Sequence, residues 1–122
     1  MRYDHLGTQK MEYVYLPNWV APVSNRDFFF NMVLKGIRIG KNCTSAYQLT
    51  RGGTCQYIII ESAMVVPRQA NYSNASYFFV HDDYVDAYKA SSDWSSRAST
   101  IYPISSFREM FPNEPARMYE PW

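Results

Sequence analysis

TCQYIIIESAMVV, running from Thr54 to Val66, is the stretch on which the fold turns. Within it Tyr57 to Ile60 is apolar at every position and rich in β-branched residues, the pattern of an extended strand buried on both faces. Arg51-Gly52-Gly53 precedes it as a turn, and Pro67 closes it. Such a strand needs a neighbour on each edge and a packed layer on each face.

The flanking segments supply both in outline. Thr44 to Thr50 (TSAYQLT) pairs with 54–60 as a hairpin about the Gly-Gly turn. Met11 to Leu16 (MEYVYL) alternates as a strand and is ended by Pro17. Ser24 or Asn25 caps a helix that stops at Gly36, with Phe30, Val33, Leu34 and Ile37 at helical spacing facing the sheet. Ser62 to Val66 continues the central strand or, after a bulge, begins another. Ser76 to Val80 (SYFFV) is a further strand, and Asp82 or Asp83 caps a second helix through Tyr84, Val85, Ala87, Tyr88 and Ala90. Ser106 to Glu109 has capping-box spacing, and Pro112 stops that third helix. Residues 112–122, with three prolines, read as an extended C-terminal tail. The expectation is a single α+β domain, a mainly antiparallel sheet of about five strands packed with two or three helices.

A chain of 122 residues can bury a core without disulfides or metal. Aromatic residues reach 17%, with eleven tyrosines, which suits a thin core needing bulk and suits contact surfaces. Net charge is +1, against a polyanion as main partner. The charge is uneven: residues 1–70 carry eight Lys/Arg and four Asp/Glu, residues 71–122 four and seven. Residues 1–10 lack the apolar core of a signal peptide, and no 18-residue apolar run occurs, so a soluble, cytoplasmic protein without a membrane partner is expected. Cys43 and Cys55 read as free buried thiols.

His81-Asp82-Asp83, with Asp86 a helical turn beyond Asp82, is the densest group of acid–base side chains. Two acids at a helix start are also what the helix dipole favours. Two histidines without ligand spacing indicate no metal site, and no cofactor motif is present. Lys35, Arg38, Lys41, Tyr47, Arg51 and Tyr57 interleave basic and aromatic residues, as single-stranded nucleic acid requires.

Two segments carry a resemblance. Asn31-Met-Val-Leu-Lys-Gly-Ile-Arg-Ile-Gly40 resembles the helix-to-Gly-Ile-Arg segment of some ADP-ribosyltransferases, and Tyr77 to Tyr88 is similar to a later strand–helix of that family. The resemblance implies a nucleotide-using enzyme. Met11 to Leu16 lacks the His or Arg of that family's first strand, and too little chain follows Tyr88 for its late sheet, so no catalytic residue transfers.

The first expectation is therefore a small non-enzymatic binding protein, an inhibitor or regulator of phage or mobile-element type, acting on another protein. Its anchors are Tyr47, Arg51, Trp94, Tyr119 and Trp122, with Lys35, Arg38 and Lys41 as basic contacts. The alternatives are a small enzyme, ADP-ribosyltransferase-like or a hydrolase centred on His81, Asp82 and Asp83, and a nucleic-acid binder using the basic 35–51 region. An edge strand and an apolar tail also leave a homodimer open.

Overall fold

A computed structural model describes residues 12–17, 33–43, 54–67 and 75–118. The Tyr57–Ile60 run is the middle of a five-stranded sheet. Its strands β1 (Tyr13–Leu16), β2 (Val33–Ile39), β3 (Thr54–Ile60), β4 (Tyr77–Val80) and β5 (Ile101–Pro103) lie side by side in chain order. Every neighbouring pair is parallel. This overturns the antiparallel α+β expectation: the arrangement is of the α/β type.

The physical reason lies in the central run itself. A strand buried on both faces is what parallel sheets produce, because their crossovers lay chain over the faces. The Gly52-Gly53 pair suggested a hairpin, but β3 has β2 on one side and β4 on the other, which leaves no place for a hairpin partner. The 40–53 connection exceeds the dozen or so residues that a parallel crossover needs. The proposed partner strand, 44–50, lies outside the described residues.

A second correction concerns the helix drawn to Gly36. Val33, Leu34 and Ile37 belong to β2, which pairs with β1 on one side and β3 on the other. A strand paired along its length with β3 and over Gly36 to Ile39 with β1 outweighs a helical spacing of four apolar positions. Residues 18–32, the rest of that helix, lie outside the described residues. Ser62 to Val66 forms no strand, and β5, which the sequence reading did not find, follows directly on a 3-10 helix at Ser95–Thr100.

Register aligns side chains in rows across the sheet. Val14, Ile37, Ile58, Phe78 and Ile101 form one such row, every member buried, on the first face. Ile59 and Phe79, one residue further along, point to the second face with Tyr57. On that face Gly36 stands beside Tyr57 in register, and a Cβ at Gly36 would overlap the phenol ring. The glycine is there for ring space, not as a helix stop.

The first face is covered by the β4-to-β5 crossover, a 3-10 turn at Asp82–Tyr84 leading into helix α1 (Val85–Ala90). Tyr88 and Trp94 from this crossover are fully buried against the sheet. The second face is covered by helix α2 (Phe107–Met110) and by Met118, which follows Pro115 in a short 3-10 turn. Phe107 and Phe111 close on Tyr57 at ring-centroid distances of 4.8 and 4.9 Å. No helix among the described residues is long and apolar enough to cross a membrane.

Candidate functional site

Because all five strands run the same way, the residues leaving them gather at one edge of the sheet, where α/β folds hold their ligands. A cleft of about 450 Å³ lies there. β2 sends Lys41 to it, β3 sends Glu61 and Ala63, β4 sends His81 and Asp82, and β5 sends Ile104 and Ser105.

Glu61 sits on the buried side. Its backbone N–H continues the sheet ladder to the Ile39 carbonyl at 3.2 Å. Its carboxylate accepts a 2.5 Å bond from the Arg38 Nε, with both side chains nearly inaccessible. The Arg38 guanidinium also lies 4.5 Å from the Tyr15 ring centroid, which is the next residue in its row. The Arg38 cation thus stands between the Tyr15 ring and the Glu61 carboxylate, and of the three it is Glu61 that lines the cleft. A buried ion pair of this kind is not a strong source of stability, because desolvation offsets the attraction.

Side-chain bonds fix the surrounding loops. Ser62 Oγ donates to the Cys43 carbonyl at 2.6 Å, which joins the exits of β2 and β3. Tyr88 Oη donates to the Met64 carbonyl at 2.8 Å and accepts from the Val66 N–H at 3.1 Å. Trp94 Nε1 donates to the Val66 carbonyl at 2.7 Å. The segment after β3 is thus held from below by two core aromatic residues.

His81 and Asp82 occupy roles that differ from the expected helix capping. His81 itself caps the 3-10 turn, its Nδ1 accepting the Asp83 N–H at 3.2 Å. Asp82 reaches across instead, and its Oδ1 accepts the Ser105 N–H at 3.1 Å, joining the exits of β4 and β5. Asp83 and Asp86 are exposed and do not line the cleft.

The other sequence-selected residues scatter. Lys41 lines the cleft, whereas Lys35 is a surface residue 3.6 Å from Glu12. Arg38 is buried beside Glu61, and Trp94 is fully buried with its ring 5.1 Å from both Phe78 and Tyr88. Neither is available as a surface anchor. The serine-rich surroundings of Trp94 concealed this, since its apolar partners come from β4 and α1. Tyr47, Arg51, Tyr119 and Trp122 lie outside the described residues. Tyr57 is buried as well, so the described part of the basic-aromatic series forms no continuous strip.

Both cysteines are free and buried, and burial pushes the Cys55 thiol up to about 12. Among the described residues no group of three or more His, Cys, Asp or Glu is placed to hold a metal ion. Glu61 and Ser105 were missed by the sequence reading, although Glu61 is the first charge after the unbroken apolar run Tyr57 to Ile60. That is a usable signal once the strands are known to be parallel. No protein family matches the chain, and neither a curated protein nor a solved structure is similar to it.

Proposed function

We propose that this chain is a small hydrolase-type domain that takes a polar substrate into the carboxyl-edge cleft, with Asp82 and His81 as the working pair. The supporting observation is the convergence of four successive strands, each delivering a residue within three positions of its end, on one cleft. Asp82 has one oxygen held by the Ser105 N–H, while Oδ2 meets no donor among the described residues. That oxygen can take a proton from water as the water oxygen bonds to the scissile centre, and can pass that proton to the leaving oxygen as its bond to the centre breaks. Lys41, exposed at the rim, supplies positive charge for the electron-rich side of the substrate. The surface-binding alternative loses one of its anchors, Trp94, and one of its basic contacts, Arg38, to the interior.

Chromogenic p-nitrophenyl acetate, phosphate and glycosides test this and sort the substrate class. One class should be turned over, and Asp82→Asn, which keeps the acceptor for Ser105, should lower its kcat by about 10²-fold or more. The urea midpoint should not move. Absence of turnover in all three classes, or turnover indifferent to Asp82→Asn, removes the hydrolase reading.

A further inference from the structure

The hydrogen bond that His81 makes to its own turn has a chemical consequence. An imidazole nitrogen that accepts a backbone N–H must be unprotonated, so in the neutral ring the proton sits on the other nitrogen. Here the accepting atom is Nδ1, 3.2 Å from the Asp83 nitrogen. The Asp83 carboxylate stands 4.0 Å from Nδ1, outside hydrogen-bond reach, and does not compete for a proton there. Tyr84 packs edge-on against the ring at 5.3 Å and limits its rotation.

We infer that His81 is held predominantly as the Nε2–H tautomer and serves the cleft as a hydrogen-bond donor rather than as its general base. With Nδ1 committed to the turn and Nε2 carrying hydrogen, neutral His81 has no lone pair to offer a substrate. Its donor suits an oxygen that gains negative charge as the bond to water forms, a carbonyl or phosphoryl oxygen of an ester. The base is then Asp82, and the two adjacent residues divide the labour through opposite hydrogen-bond commitments: His81 gives up its acceptor to the chain, Asp82 keeps one. Among the described residues the other charged groups lining the cleft are Lys41 and Glu61, with Glu61 turned to Arg38. This assignment of roles rests on the hydrolase reading, whereas the tautomer stands on the geometry alone.

Long-range ¹⁵N–¹H correlation of the full chain carrying His5→Gln, which leaves one histidine, reads the tautomer directly in mildly alkaline buffer. A pyrrole-type Nε2 and a pyridine-type Nδ1 are expected, with a preference of about five- to tenfold from one backbone hydrogen bond. Asp83→Asn, which removes the carboxylate and keeps the N–H, should leave that spectrum unchanged. An Nδ1–H tautomer, or a preference lost with the carboxylate, overturns the inference even where hydrolysis is found. With a p-nitrophenyl ester that is turned over, His81→Gln retains a donor and should cost no more than about tenfold. His81→Leu should cost about 10²-fold or more. Equal losses in the two variants would reassign His81 to proton abstraction and leave Asp82 to be tested separately by its asparagine variant.

Discussion

Replacing Trp94 is the sharpest check on the way the interior is built. The indole is fully buried, stands edge-on to Phe78 and Tyr88, and donates from Nε1 to the Val66 carbonyl at 2.7 Å. Trp94→Ala removes the contacts and the bond together. Core Trp→Ala changes cost about 3–5 kcal/mol, a large part of the ~5–15 kcal/mol that holds a domain folded. At this chain length that corresponds to a fall in Tm of roughly 10–20 °C. Trp94→Phe separates the two contributions. It keeps most of the apolar volume but leaves the buried Val66 carbonyl without its indole donor, for a loss of about 1–3 kcal/mol. Urea and thermal unfolding followed by far-UV circular dichroism should rank wild type above Trp94→Phe and that above Trp94→Ala. A Trp94→Ala protein within about 0.5 kcal/mol of wild type, the range of inert surface changes, would refute the placement of Trp94 and return it to the surface. The substitutions also bear on the cleft, because Val66 closes the segment that carries Glu61 and Ala63.

Two further outcomes are expected. Gly36→Ala places a methyl group into the Tyr57 ring, which packs on Phe107 and Phe111, and should cost about 1–3 kcal/mol by overpacking; urea unfolding measures it, and an unchanged or higher midpoint contradicts the close approach of Gly36 to that ring. Alkaline pH should weaken the fold: burial pushes the Cys55 thiol up to about 12 from 9.0 and the Tyr88 phenol up to about 12 from 10.0, and burial with the Glu114 carboxylate raises Tyr57. Above pH 9 the unfolded chain therefore binds fewer protons than the native one, so unfolding free energy, complete below that pH, declines as pH rises towards 12. Urea midpoints that stay level past about pH 11 would contradict this, and so would rapid alkylation of Cys55 in the native protein near neutral pH.

How far the sequence disclosed the fold depends on which signals are local. Tyr57 to Ile60 announced a strand buried on both faces, and Tyr77 to Val80 and the helix after His81 were legible because their patterns complete themselves within a few residues. Strand direction is not local. It depends on whether the connection folds back at once or crosses a face, and a Gly-Gly pair in a long connection reads as a hairpin turn in either case. Val33 to Ile39 went wrong for a related reason: its apolar residues fit both periods, and only pairing to two neighbours decides between them. β5 is three residues long and ends in a proline, so it has almost no pattern of its own. Its hydrogen bonds to β4 define it.

The site follows the same logic one level up. Lys41, Glu61, His81, Asp82 and Ser105 share no spacing in the sequence, since each belongs to a different crossover or to a different position after its strand. Their common property is topological: each comes within a few residues of the carboxyl end of a parallel strand. An antiparallel sheet would send alternate exits to opposite edges, and Glu61 and His81, leaving adjacent strands, would then lie a strand length apart. Parallel pairing of β3 with β4 puts them on the same edge. The direction error and the missed Glu61 are thus one error, whereas Ser105 was hidden because β5 itself was; correcting strand direction is what makes His81 and Asp82 part of a site instead of merely the start of a helix.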